Sequence, residues 1–218
     1  MATKMCFLVG NNRPFEEDII SFTYIKGLAF SQKQKNILSF HSAIQSKFPN
    51  AKILEVSTKS NNELGVALSA FNLKLNGLSV ESIFQSSKVF SDGSQFVDLM
   101  YASPKDAKLF IAKSSIGALS HFRYNGTTFP LEPRSLFYDY LYTSALKQIP
   151  DISKHLAEFD IFTDIEFNEK KQFNCQARSC AIYSFLLKTN QTDYFLSSVE
   201  NFVQLYTKMP AQLTFEDL

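Results

Sequence analysis

The sequence predicts a single α+β domain over residues 1–218, helix-rich with short strands. Three observations carry that reading. A chain of 218 residues, 45% apolar and 20% charged, can bury one sizeable core. No internal repeat, low-complexity tract or linker divides it. Stretches with helical spacing of apolar residues alternate with short β-branched or alternating stretches, and Asn-Gly turns sit among them. With 22 Phe and no Trp, phenyl rings are expected to dominate the core.

Taken in order, residues 5–9 and 19–25 read as short strands around a polar loop punctuated by Asn11, Asn12 and Pro14. "SQKQKNILSFHSAIQSKFP" reads as a helix, with Ser31 as N-cap, Ile37, Phe40, His41 and Ile44 at helical spacing, and Pro49 as its stop. "AKILEVST" is a strand candidate, "SNNELG" a loop, "VALSAFNLKL" a further strand and Asn76-Gly77 a turn. A helix is expected over 79–90. Another follows in "ASPKDAKLFIAK", where Ser103 caps and Pro104 takes the first helical position. "FRYNGTTF" predicts a hairpin around Asn125-Gly126. "EPRSLFYDYLYTSALKQIP" predicts a long amphipathic helix stopped by Pro150, and "DISKHLAEF" a helix opened by Asp151. "FTDIEFNEKKQFNCQ" reads as mixed and loop-like, "ARSCAIYSFLLK" as a buried helix and residues 193–208 as a last helix.

A net charge of +1 advertises no nucleic-acid or membrane partner through a global field. Cys6, Cys175 and Cys180 are too few for a disulfide framework and include no CxxC pair. His41, His121 and His155 are scattered, so neither a metal site nor a cofactor is expected. No stretch approaches the roughly 20 apolar residues of a membrane span, and no signal-peptide core follows the N-terminus. A reducing, cytoplasmic compartment is the expectation.

Helix 79–90 holds the first candidates. At 100° per residue, Val80, Ile83, Ser87 and Phe90 form the apolar stripe and Phe84 borders it. Glu81, Gln85 and Lys88 lie just beyond Phe84, at i, i+4 and i+7. Two readings follow: a solvated face with an ordinary charge pair, or a carboxylate and an amine held rigidly at a pocket wall.

The surrounding motif bears on that choice. "ALSAFNLKLNGLSVESIFQSSKVF" resembles the central motif of the NADAR family, the NAD- and ADP-ribose-associated proteins. Leu68-Ser69, Phe71-Asn72, Glu81, Phe84, Gln85, Lys88 and Phe90 match it in spacing. "SPKDAKLFIAK" resembles the family's Pro-x-x-Ala-Lys helix through Pro104, Ala107 and Lys108. Two departures stand out: Ser82 replaces the usual His, and the usual Asp-x-x-Trp-Gly element is missing from this Trp-free chain. "GLAFSQKQKNI", "EVSTKSNNELGVALSAFNLKL", "FPLEPRSLFYDYLY" and "FDIFTDIEFNEKKQFNCQARS" are similar to the branch of NADAR antitoxins paired with guanosine-modifying DarT-type toxins.

That resemblance implies a NADAR-like domain that removes ADP-ribose from guanine bases of DNA and releases ADP-ribose, with a DarT-type toxin encoded nearby as its counterpart. Breaking the bond at the anomeric carbon passes through an oxocarbenium-like transition state, which needs a carboxylate and a proton donor for the leaving guanine. Glu81 suits the first role. Asp164 is the candidate for the acid that the usual family draws from its missing element. Lys88 has two parts open to it: an electrostatic partner of Glu81 and of the ligand, or a desolvated amine that attacks an opened ribose as a Schiff-base nucleophile. Phe71, Asn72, Phe84 and Gln85 are candidate ligand contacts through the motif. Ser31, Lys33 and Lys35 offer a helix N-terminus and two ammonium groups to the pyrophosphate, or else form a solvated basic turn. In the polar stretch 164–178, Asn174 and Arg178 are candidate contacts to base, ribose or phosphate; a turn cap and a structural ion pair are the alternatives. Two other functions compete: an N-glycosidase of riboflavin-pathway ribotides, and a non-catalytic module that binds ADP-ribose or neutralises the toxin by contact.

Overall fold

Four strands build the sheet that carries the site. The computed structural model describes residues 1–114, 116–169 and 172–207. Strands β1 (Ala2–Val9) and β2 (Phe15–Phe22) pair antiparallel, Ala2 opposite Phe22 and Val9 opposite Phe15. Helix α1 (Phe30–Lys47) follows, then β3 (Ile53–Glu55). The order across the sheet is β2-β1-β9-β3, where β9 (Ile161–Thr163) is antiparallel to β1 and parallel to β3. Alternation along β1 serves two cores. Cys6 joins Ile37, Phe40 and Ile44 of α1 on one face, and Phe7 joins the main core on the other.

The first helix begins two residues earlier than expected. Ala29 is its N-cap, with no side-chain capping bond, so Ser31 is an exposed residue inside the first turn. After β3 the expected loop and strand are replaced by helix α2 (Glu63–Ala67), opened by Asn62, whose Oδ1 accepts from Leu64 N at 2.9 Å. Gly65 lets α2 approach β3, since a Cβ there would lie 1.9 Å from the Glu55 carbonyl oxygen. Only Lys74–Leu75 is extended (β4). It pairs with β5 (Leu78–Ser79) through Asn76 and Gly77, whose φ angles of 52° and 82° suit a tight hairpin.

The helix expected over 79–90 ends early. Helix α3 covers Val80–Ser86, and Lys88–Phe90 is strand β6. Two hydroxyls compete with helix continuation: Ser86 and Ser87 both donate to the Ile83 carbonyl, at 2.9 and 2.8 Å. The next residues then gain strand partners, with Lys88 opposite Phe122 and Val89 opposite His121. Val80, Ile83 and Phe90 are buried as their spacing predicts. A 3₁₀ turn (Val97–Tyr101) leads to α4 (Pro104–Lys113), capped by Ser103 as expected. The Asn125-Gly126 hairpin joins β7 (Leu119–Tyr124) to β8 (Thr127–Phe129), completing the sheet β6-β7-β8.

Helix α5 (Leu136–Lys147) starts four residues later than its sequence stretch, after Ser135 at φ 67°. Pro150 opens α6 (Pro150–Ser153), and a 3₁₀ turn completes the segment expected as one helix. Strand β9 lies in the region read as loop-like. It is central and fully buried, and three residues show no alternation. Helix α7 (Gln176–Lys188) is buried along most of its length, as predicted. The last helix is split into α8 (Thr192–Phe195) and α9 (Val199–Thr207), because Ser197 Oγ bonds the Tyr194 carbonyl and Ser198 Oγ accepts from Asn201 N. Its expected end at residue 208 lies outside the described residues. No described helix is long and apolar enough to cross a membrane.

Candidate active site

A cleft of about 960 Å³ opens beside α3. Its walls come from α3, β6, the turn after α2, the loop before α5, and the β9–α7 connection. All seven residues of α3 are buried, so this helix has no wet face. Glu81 and Gln85 line the cleft instead.

The Gln85 amide donates to Glu81 Oε1 at 2.9 Å, while Gln85 Oε1 is buried with no partner of its own. The bond holds the Glu81 carboxylate in place at the cleft wall. Glu81 N donates to the Ala70 carbonyl at 3.1 Å, which fixes the turn carrying Phe71 against α3. Ser82, at the departure from the usual motif, donates to the Ala102 carbonyl at 2.9 Å and ties α3 to the start of α4.

Lys88 enters from β6. Its Nζ sits 5.1 Å from the centre of the Phe84 ring. Burial pushes its pKa below the ordinary value; nearby Glu81 opposes that and Lys108 adds to it. Among the described residues no ion pair joins Lys88 to Glu81, yet the Glu81 charge acts on Lys88 from the same cleft.

Asp164 follows β9 directly and is 7% exposed. Its Oδ2 accepts from Gln176 Nε2 at 3.0 Å and its Oδ1 from Glu166 N at 3.0 Å. Burial raises its pKa to about 7, and the Glu55 carboxylate adds to the rise. Glu55 is itself fixed by Ser57 Oγ (2.7 Å), Thr163 Oγ1 (2.7 Å) and Ile165 N (2.8 Å), and so holds the end of β9 in place. Since Thr163 gives its proton to Glu55, His41 Nε2 is the donor in its 2.8 Å contact with Thr163 Oγ1. Tyr138 of α5 completes the wall. Burial drives its pKa well up, and the charges of Glu81 and Asp164 both contribute, which places its hydroxyl in the field of the two carboxylates.

Seven of the residues singled out in the sequence share this cleft: Glu81, Lys88, Asp164, Phe71, Phe84, Gln85 and Asn174. Five do not line it. Ser31 and Lys35 are exposed on α1. Lys33 is paired with Glu166 at 3.1 Å, one residue behind the lining. Asn72 turns its amide to the Val66 carbonyl at 2.8 Å and closes the turn after α2. Arg178 is buried against Asp139 at 3.0 Å. Sequence reasoning gave no role to several lining residues. Lys108 stood in a recognised motif, Gln176 in the polar stretch, and Tyr138 and Lys59 in stretches similar to the antitoxin branch. Among the described residues no group of His, Cys, Asp and Glu could hold a metal ion.

A search of the curated proteins finds no match. A family model described as the DarT1-associated NADAR antitoxin matches residues 2–214, nearly the whole chain. With the motif helix and its carboxylate set in a cleft, and this match spanning the fold, the chain belongs to the family of DarT1-associated NADAR antitoxins.

Proposed function

We propose that this antitoxin is a hydrolase whose single domain, over the whole chain, removes ADP-ribose from guanine bases of DNA and so reverses a DarT-type toxin. The observation that carries the reading is a pair of buried carboxylates in one cleft, one of which, Asp164, is disposed to hold a proton near neutral pH. Asp164 gives that proton to the departing guanine amine. Glu81 stabilises the positive charge that develops at the anomeric carbon.

Lys88 acts covalently in this scheme. Burial favours its neutral amine, and Lys88 lines the same cleft as Glu81. The amine attacks the anomeric carbon of the ring-opened ribose, the guanine leaves with the proton from Asp164, and water hydrolyses the resulting imine. The net reaction is addition of one water, with ADP-ribose and unmodified guanine as products. Gln85 holds Glu81 in place through its amide, and Phe71, Phe84 and Asn174 enclose the ligand.

The test is incubation of the protein with a guanosine-ADP-ribosylated oligonucleotide, following release of ADP-ribose. The wild type should release it, and a folded Glu81→Gln protein should be slower by about 10²–10³-fold, the range for removing one charge-stabilising group. Near-normal release by Glu81→Gln would remove Glu81 from the mechanism. Failure of the wild type on this substrate, with cleavage of a pyrimidine ribotide instead, would overturn the proposed substrate.

A further inference from the structure

Four cationic side chains line the cleft: Lys59, Lys88, Lys108 and Arg134. Lys33 stands just behind it. Two of these five are already engaged by carboxylates, Arg134 with Glu132 at 3.1 Å and Lys33 with Glu166 at 3.1 Å. Lys88 faces Glu81. Lys59 and Lys108 remain, with no carboxylate partner among the described residues. Each ammonium rests over an aromatic ring, Lys59 at 5.3 Å from Phe30 and Lys108 at 5.8 Å from Phe71 of the cleft lining.

Both are carried on fixed supports. The turn bearing Lys59 is closed by Ser57, whose hydroxyl donates to Glu55 and accepts from Lys59 N at 3.2 Å; Ser60 Oγ accepts from Asn62 N at 3.1 Å just beyond. Lys108 projects from α4, which is capped by Ser103, seated through the fully buried Ala107 and tied to α3 through Ser82. Lys108 also lies near enough to Lys88 for its charge to disfavour the Lys88 ammonium. Like charges facing one space repel, and an anion between them reverses the sign of that interaction.

We infer that Lys59 and Lys108 form the diphosphate-binding clamp of the cleft, taking the two negative charges of a nucleoside diphosphate ester. Thr58, beside Lys59 in the lining, offers a hydroxyl to the same group. This rests on the ADP-ribose reading above and sets the orientation of the ligand: the diphosphate lies at the rim and the reacting ribose beneath it, toward Glu81 and Lys88. The N-terminus of α1, which the sequence suggested for this task, has Lys33 neutralised and Ser31 and Lys35 turned to solvent.

Calorimetric titration with ADP-ribose tests the clamp. Lys59→Ala and Lys108→Ala should each weaken binding by about tenfold, the scale of one charge-assisted hydrogen bond, and the double variant by about a hundredfold. Lys59→Arg and Lys108→Arg should stay within about threefold of wild type. Inorganic pyrophosphate should displace ADP-ribose from the wild type and lose most of that ability against the double variant. Wild-type binding with both alanine variants within about threefold would overturn the clamp and leave the hydrolase reading intact, and a loss confined to Lys33→Ala would move the diphosphate to α1. No ADP-ribose binding by the wild type would overturn the hydrolase reading and the clamp with it.

Discussion

Replacing Arg178 by Met should unfold this protein more readily, although Arg178 does not itself line the cleft. The Arg178 and Asp139 side chains are 6% and 1% exposed and meet at 3.0 Å. Removing the guanidinium leaves a carboxylate buried without its counter-charge, a change that costs about 3–5 kcal/mol. Ser179 Oγ at 2.6 Å and Tyr206 OH at 2.7 Å still donate to Asp139, which favours the lower end, about 3 kcal/mol. For a chain of this size that is a fall in Tm of roughly 6–12 °C. Arg178 Nη1 also donates to the Phe173 carbonyl at 3.0 Å, so the cleft wall loosens as well. Far-UV circular dichroism on heating reads the fall. The double variant Arg178→Met/Asp139→Asn should recover most of it, because the uncompensated charge is gone while an acceptor for Ser179 and Tyr206 remains. A single variant that melts within about 2 °C of wild type yet no longer binds ADP-ribose would refute the structural account and make Arg178 a ligand contact.

Three further outcomes follow from the same geometry. Asp164, with a folded pKa of about 7 against an ordinary 3.8, is protonated on the acid side of neutrality, so its activity as a general acid should fall as pH rises past about 7. The stability it contributes is complete below about 3.8 and lost as pH rises through about 7. Because the Gln176 amide favours the ionised form, Gln176→Leu should move the alkaline limb of the pH–rate profile upward; an unmoved limb would assign that limb to another group. Borohydride added during turnover should trap a covalent ADP-ribosyl adduct on Lys88, detected by peptide mass spectrometry, and its absence in a turning-over enzyme would return Lys88 to an electrostatic role. Gly65→Ala should cost at least about 2 kcal/mol in urea unfolding, since the new Cβ meets the Glu55 carbonyl oxygen at 1.9 Å; an unchanged midpoint would mean that α2 shifts freely.

The sequence exposed this fold unevenly, and the reasons lie in particular residues. Ser103-Pro104, Asn76-Gly77 and Asn125-Gly126 each encode local chemistry that needs no distant partner, and each element stands where it was expected. Strand β9 depends entirely on its neighbours. Ile161–Thr163 is extended because β1 and β3 flank it, and nothing within three residues announces that. The end of α3 is a contest between an apolar stripe that runs on to Phe90 and two serines that capture the Ile83 carbonyl. Periodicity registers the stripe but not the β7 partner waiting for Lys88. The site divides in the same way. Glu81, Gln85 and Lys88 were visible through spacing and motif, whereas the Gln176–Asp164 bond joins the start of α7 to the end of β9 and exists only in the folded chain.

The two departures from the usual motif fit one account. A His on α3 at position 82 would need room and a partner beside α4; Ser82 instead makes a short tie to the Ala102 carbonyl and accepts a hydroxyl from Ser79 at 2.7 Å. The tie draws α4 close, and α4 brings Lys108 to the rim. The Asp-x-x-Trp-Gly element is replaced in our proposal by Asp164, delivered from the central sheet. A sheet-borne acid is fixed on both sides: Glu55 and Thr163 anchor the strand behind it, and Gln176 spans from its carboxylate to the Ala70 amide, at 2.8 Å, in the turn that carries Phe71. The same amide that holds the acid thereby also holds the ring next to the ligand. Gln176→Leu should therefore weaken ADP-ribose binding as well as shift the pH profile, whereas Asp164→Asn, which keeps an oxygen for Gln176, should lose the alkaline limb and bind nearly as well as wild type. Equal losses of affinity in the two variants would mean that Asp164 holds the ligand directly rather than donating a proton to its leaving group.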